Sequence, residues 1–191
     1  MSGDVAIANH ALRLLKVQRI ASLDQANTQA ARALVDVWEP VLKRLLRKHN
    51  WNFAIERFEV SPDVDAPTYG FKYKYTLPPQ ILRLIEIEDG RDNAYKLEGN
   101  RLLTDKTPPL RGRIVSYVTD ATRYDAHFRS YLAHELAEEI AEDAGASSTT
   151  VQRIQEAKKQ IKSDAIEDDS FEDTEDNYLD EEDRDIYAAR W

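Results

Sequence analysis

Residues 48–54, KHNWNFA, stand where one sequence pattern stops and another begins. On the N-terminal side Ala26, Ala30, Ala33, Leu34, Val37, Val41, Leu42, Leu45 and Leu46 recur at the spacing of a helix that buries one face, with charges opposite. On the C-terminal side come short runs of β-branched and aromatic residues: FAIERFEV, FKYKYTL, RLIEIED, AYKLEGNRLLT and GRIVSYVT. The two periods are incompatible, so the backbone must change structure at this junction. Trp51 and Phe53, large apolar side chains placed there, are expected to be structural anchors buried at the exit of the helix.

Working outward, the long helix is expected over 24–49, with Asp24 favoured at the positive end of its dipole. Pro40 removes a backbone hydrogen bond, so a kink or a division near Glu39 is expected. Val5, Ile7, Ala8, Ala11, Leu12 and Leu15 predict a first helix over 4–16. A β-rich insertion covers 53–119. Within it the Gly99-Asn100 pair offers two residues that tolerate positive φ in a tight hairpin turn, and Pro78-Pro79 and Pro108-Pro109 punctuate the segment.

Helix returns over 125–145. Phe128, Leu132, Leu136, Ile140 and Ala144 fall at steps of four beside Ala133, Ala137 and Ala141, while Glu135, Glu138, Glu139, Glu142 and Asp143 lie largely off that seam. Gly145 ends it, and a last helix over 148–166 has Ser147, Ser148 or Thr149 as cap candidates. The fold class expected is α+β, mainly α: a helical bundle with an inserted antiparallel β-sheet and hairpin region. One domain over 1–168 is followed by an acidic tail, 169–191.

With 191 residues and no cysteine, the chain has neither disulfides nor thiolate metal ligands and must rely on apolar burial. No apolar run is long enough for a membrane span, and Asp4 stands where a signal peptide carries a base, so no membrane partner and synthesis in the cytoplasm are expected. The net charge of -9 conceals an asymmetry: 13 acidic residues against Arg184 alone lie between Asp164 and Asp185, which leaves 22 acidic and 25 basic residues elsewhere. A near-neutral body carries an anionic tail, yet that tail closes on DIYAARW, with apolar anchors a solubilising segment does not need.

Catalytic and metal signatures are weak. HELAEE, residues 134–139, begins like a zincin motif, but Glu138 stands where the second histidine belongs. His10, His49, His127 and His134 show no ligand spacing, so His134 reads as an ordinary helix residue. A calcium loop beginning at Asp173 fails because Tyr178 replaces its glycine and Arg184 its bidentate glutamate. No cofactor and no enzymatic activity are expected.

The chain resembles, nearly end to end, the tail tubular protein A family, the head-to-tail connector or adaptor proteins of short-tailed phages. IANHALRLL and RIASLDQANTQAARALVDVWEPVLKRLLRKHNWNFA are similar to that family's opening helices and Trp-Asn-Phe-Ala junction. YKYTLPPQILRLIEI is similar to its tyrosine-rich strand, Leu-Pro turn and following strand, YKLEGNRLLTD to its hairpin, and YDAHFRSYLAHELAEEIAEDAGASS to its late helix. Five motifs in one order are far more specific than any one of them. Lys16 is a departure, because the family often has glycine after the first helix.

The resemblance implies a virion protein of the tail neck. About twelve copies form a ring between the portal and the tail nozzle protein, the genome DNA passes through without specific binding, and tail fibres can dock on it. It also implies that the C-terminal extension reaches the portal, with Ile186, Tyr187, Arg190 and Trp191 as docking residues and acidic steering ahead of them. Two rival classes are a DNA mimic that uses the acidic tail to occupy a basic site, and a metal-dependent hydrolase around His134 and Glu135.

Overall fold

The computed structural model describes residues 3–88 and 94–172. The fold is α+β. Among the described residues there are four α-helices, α1 (Gly3–Leu14), α2 (Gln29–Lys48), α3 (Ala126–Glu139) and α4 (Ser148–Glu172), and six strands: β1 (Ile55–Val60), β2 (Tyr73–Thr76), β3 (Ile81–Ile87), β4 (Tyr95–Glu98), β5 (Arg101–Thr104) and β6 (Leu110–Ser116). Two compact units result. One is helical, formed by the chain up to Leu45 and from Thr119 onward, and the other, Leu46–Val118, holds every strand.

In the helical unit, α1 buries Val5, Ile7, Ala8, Ala11 and Leu12, as its spacing predicts. It ends at Leu14 rather than at residue 16. Lys16 takes φ +60°, and two hydrogen bonds close the helix, Lys16 N–H to Arg13 O (3.0 Å) and Val17 N–H to Leu12 O (2.9 Å). This is the Schellman closure normally built on glycine, so Lys16 adopts a glycine conformation despite its Cβ.

The long helix begins at Gln29, later than expected. Leu23–Gln25 is a separate 3₁₀ turn, and the cap is Thr28, whose Oγ1 accepts from Ala31 N–H at 3.1 Å. Pro40 lies inside α2, which continues as one helix to Lys48, so there is no division near Glu39. Asp125 caps α3 through Phe128 N–H (2.7 Å). The helix gives way to turns at Ile140, and Gly145, at φ +64°, closes them with the same bond pattern as Lys16. Ser147 caps α4 by accepting from Thr150 N–H (3.3 Å). This helix runs on to Glu172, so the acidic stretch begins helical and residue 169, the expected start of the tail, is inside it.

The strand-bearing unit contains two antiparallel three-stranded sheets, ordered β1-β6-β3 and β2-β5-β4, rather than one. They share a core of Phe58, Tyr75, Leu77, Leu84, Ile87, Leu102, Leu110 and Ile114. Gly112 on β6 faces Phe58 on β1 and Ile87 on β3, where β3 changes register between Leu84 and Glu86. A Cβ at that position would lie 2.4 Å from the Glu86 carbonyl oxygen and 2.9 Å from the Phe58 ring. Only glycine lets the strands approach this closely. At the β4–β5 turn Gly99 has φ +63°, whereas Asn100 keeps a negative φ. One residue rather than two uses the left-handed region, the pattern of a type II′ hairpin.

Candidate functional site

The junction at 48–54 is built on aromatic contact. Trp51 is buried, its ring centroid 4.7 Å from that of His49 in an edge-on arrangement and 6.2 Å from that of Phe53, which stacks on it and is half-buried. The backbone turns through Asn52–Ala54, where Ala54 N–H donates to Trp51 O at 2.8 Å, and β1 follows at once.

Around HELAEE the helical unit assembles a polar cluster that spacing alone does not reveal. Glu135 is buried, contrary to its expected place off the seam. Its Oε1 accepts from Tyr131 Oη at 3.0 Å and lies 3.4 Å from Lys158 Nζ, and its Oε2 lies 3.3 Å from the Arg44 guanidinium. Arg44 also reaches Glu139 at 2.9 Å, and Lys158 pairs with Glu138, which accepts a further hydrogen bond from Gln155 at 2.8 Å. The cluster therefore ties α3 to α2 on one side and to α4 on the other.

The electrostatics follow from that geometry. Burial and the neighbouring Glu135 carboxylate push the Tyr131 phenol up. The hydrogen bond from Arg44 to Glu139 raises the already high guanidinium pKa. Burial works against the Glu138 carboxylate, but bonds from Lys158 and Gln155 outweigh it and hold its pKa below the ordinary value.

His134 is nearly buried and donates from Nδ1 to Ser130 O at 2.8 Å, with its ring 5.5 Å from that of His10. Burial, Arg13 and His134 lower the pKa of His10. Among the described residues no group of three histidine or carboxylate side chains is placed to hold a metal ion. Glu135, the base a hydrolase would need beside His134, is held by two cations and a phenol.

The outer surface of the strand-bearing unit divides into two kinds. On β1-β6-β3, Arg111 pairs with Glu59 (2.5 Å) and Arg113 with Glu86 (2.7 Å), so arginines and glutamates alternate across a shallow cavity of about 470 Å³. On β2-β5-β4 the surface is apolar in places. Of the large hydrophobic side chains found exposed, Val64 and Tyr69 stand on the loop before β2, and Tyr95 and Leu97 on β4.

The proposed docking residues Ile186, Tyr187, Arg190 and Trp191 lie outside the described residues, as does the acidic stretch from Asp173 onward. Sequence spacing missed the pairing of Glu135 with Arg44 and Lys158, because those partners come from other helices. A glutamate four residues after Tyr131, beside the apolar seam, was the one available signal. Comparison with models of protein families finds no match, and comparison with curated proteins finds none either.

Proposed function

We propose that this chain is a head-to-tail adaptor of a short-tailed phage, a structural protein of the virion neck. About twelve copies form a ring between the portal and the tail nozzle. In this reading the helices form a bundle that builds the ring wall, and Trp51 and Phe53 anchor the exit of α2. Tail fibres can dock on the outside, and the DNA passes through without being held. The chain is not an enzyme; the cluster around the buried Glu135 locks helices together.

The observation that carries the proposal is the order of five sequence motifs, which resemble the tail tubular protein A family and fall in turn on α1, on α2 with the junction, on β2 and β3, on the β4–β5 hairpin and on α3. The alternation of arginine with glutamate on β1-β6-β3 supports weak DNA contact, because counterion release needs cations that are not already paired. Light scattering after size-exclusion chromatography, with negative-stain images, tests the ring in the presence of the portal protein. Removal of residues 184–191 tests the docking role of the tail. The truncated chain should keep its circular dichroism spectrum and lose attachment to portal-bearing heads. Attachment equal to that of the full chain at all salt concentrations would place the interface on the folded units instead.

A further inference from the structure

The two edges of the β2-β5-β4 sheet are treated differently. On β2 the outer edge is covered: Asp63 N–H donates to Lys74 O (2.7 Å), Thr76 N–H donates to Asp63 Oδ1 (3.1 Å) and the Thr76 hydroxyl donates to Asp63 Oδ2 (3.1 Å). On β4 all four residues are exposed, and among the described residues β4 is the last strand in the sheet. An open edge of this kind is a template for another strand, and folded proteins ordinarily block it.

Register identifies which groups are offered. Glu98 faces Arg101 across a two-residue turn and is therefore the hydrogen-bonded closing pair, so the N–H and C=O groups of Leu97 and Tyr95 point away from β5. Side chains alternate in the same way. Leu97 continues the row Tyr75–Leu102, whose two members are fully buried, and Tyr95 continues the row Tyr73–Thr104. The apolar face of the sheet thus extends one strand beyond its cover, leaving Tyr95 42% and Leu97 46% exposed.

We propose that this edge pairs with the β4 of a second copy of the chain, antiparallel about a two-fold axis through Leu97. The sequence Tyr95-Lys96-Leu97-Glu98-Gly99 is complementary to itself in that register. Lys96 and Glu98, which pair with each other along the strand at 3.1 Å, would exchange partners on one face, Lys96 meeting the second copy's glutamate 98 and Glu98 its lysine 96. On the other face the two copies of Leu97 meet, and each Tyr95 reaches the hairpin turn of the second copy, where Gly99 carries no side chain. The outward N–H and C=O groups of the two Leu97 residues then bond to each other at the centre of the ladder, Gly99 being a turn residue outside the strand. A two-fold contact cannot be repeated round a cyclic ring, so the pairing covers the edge in the free chain and is independent of the adaptor reading. A four-residue strand buries less than a stable dimer requires, so the pair is weak and concentration-dependent.

The absence of cysteine makes the register testable by cross-linking. In an antiparallel hydrogen-bonded pair the facing Cα atoms are about 5.5 Å apart, within disulfide reach. Under mild oxidation Leu97→Cys should give a disulfide-linked dimer, whereas Tyr95→Cys, about four residues out of register with its own copy, should stay monomeric. In sedimentation of the unoxidised full chain, Lys96→Glu should weaken self-association about tenfold, and Lys96→Glu with Glu98→Lys should restore it. Circular dichroism of each variant controls for folding. Equal cross-linking at both positions, no cross-linking at 97, or a double variant as weak as the single one would overturn the proposal. That result would leave the edge to a strand from another protein.

Discussion

Replacing Trp51 by alanine removes the side chain on which the change from helix to strand is built. Trp51 is 1% exposed, so nearly its whole surface is withdrawn from water on folding. About 200 Å² of buried aromatic surface at about 25 cal/mol per Å² amounts to about 5 kcal/mol. Residual compactness of the unfolded chain lowers that by about 10–40%, to about 3–4.5 kcal/mol, which lies in the usual range for truncating a large buried aromatic. The stacked Phe53 and the edge-on His49 lose their partner in the same step. For a chain of this length the melting temperature should fall by about 6–18 °C. Asn52→Ala, which removes a polar amide at a half-buried position, should lose about 1 kcal/mol. Urea unfolding followed by far-UV circular dichroism measures both, because that signal does not depend on the tryptophan removed. Equal and small losses for the two variants would refute the reasoning, since they would mean that Trp51 contributes no more than a surface side chain.

Gly112→Ala forces a methyl group against the Glu86 carbonyl oxygen and the Phe58 ring, and should destabilise the strand-bearing unit by about 2–3 kcal/mol in the same unfolding assay. Lys16→Gly should stabilise the chain by about 0.5–1 kcal/mol, the left-handed penalty of about 1–2 kcal/mol being partly offset by the greater unfolded freedom of glycine. The folded state binds a proton at His10 less readily than the unfolded state does, so the His10 contribution is full above the ordinary histidine pKa of about 6.5 and declines as pH falls below it. His10→Gln should flatten that part of the stability profile, measured by thermal melts between about pH 7 and pH 5.

Much of the architecture was legible because it rests on local signals. The five strand-rich runs, the Gly99 turn and the Ser147 cap each act within a few residues, and all five runs carry strands in the fold. Boundaries were less legible wherever a weaker signal competed with another. Thr28 out-competed Asp24 as the start of α2, Lys16 took the role of a glycine, and the acidic residues beyond Ile166 stayed helical, with Ala165 and Asp169 buried. Non-local facts left no periodic trace. The division of the strands into two sheets, the close approach at Gly112 and the capture of Glu135 by Arg44 and Lys158 all depend on residues far apart in sequence.

The most direct test of the adaptor reading is electron microscopy of portal-bearing, tailless heads before and after addition of the purified chain. The expected result is new ring-shaped density directly beneath the portal, with about twelve-fold symmetry and competence to accept the nozzle protein. Heads that gain no density and join their tails equally well without the chain would contradict it.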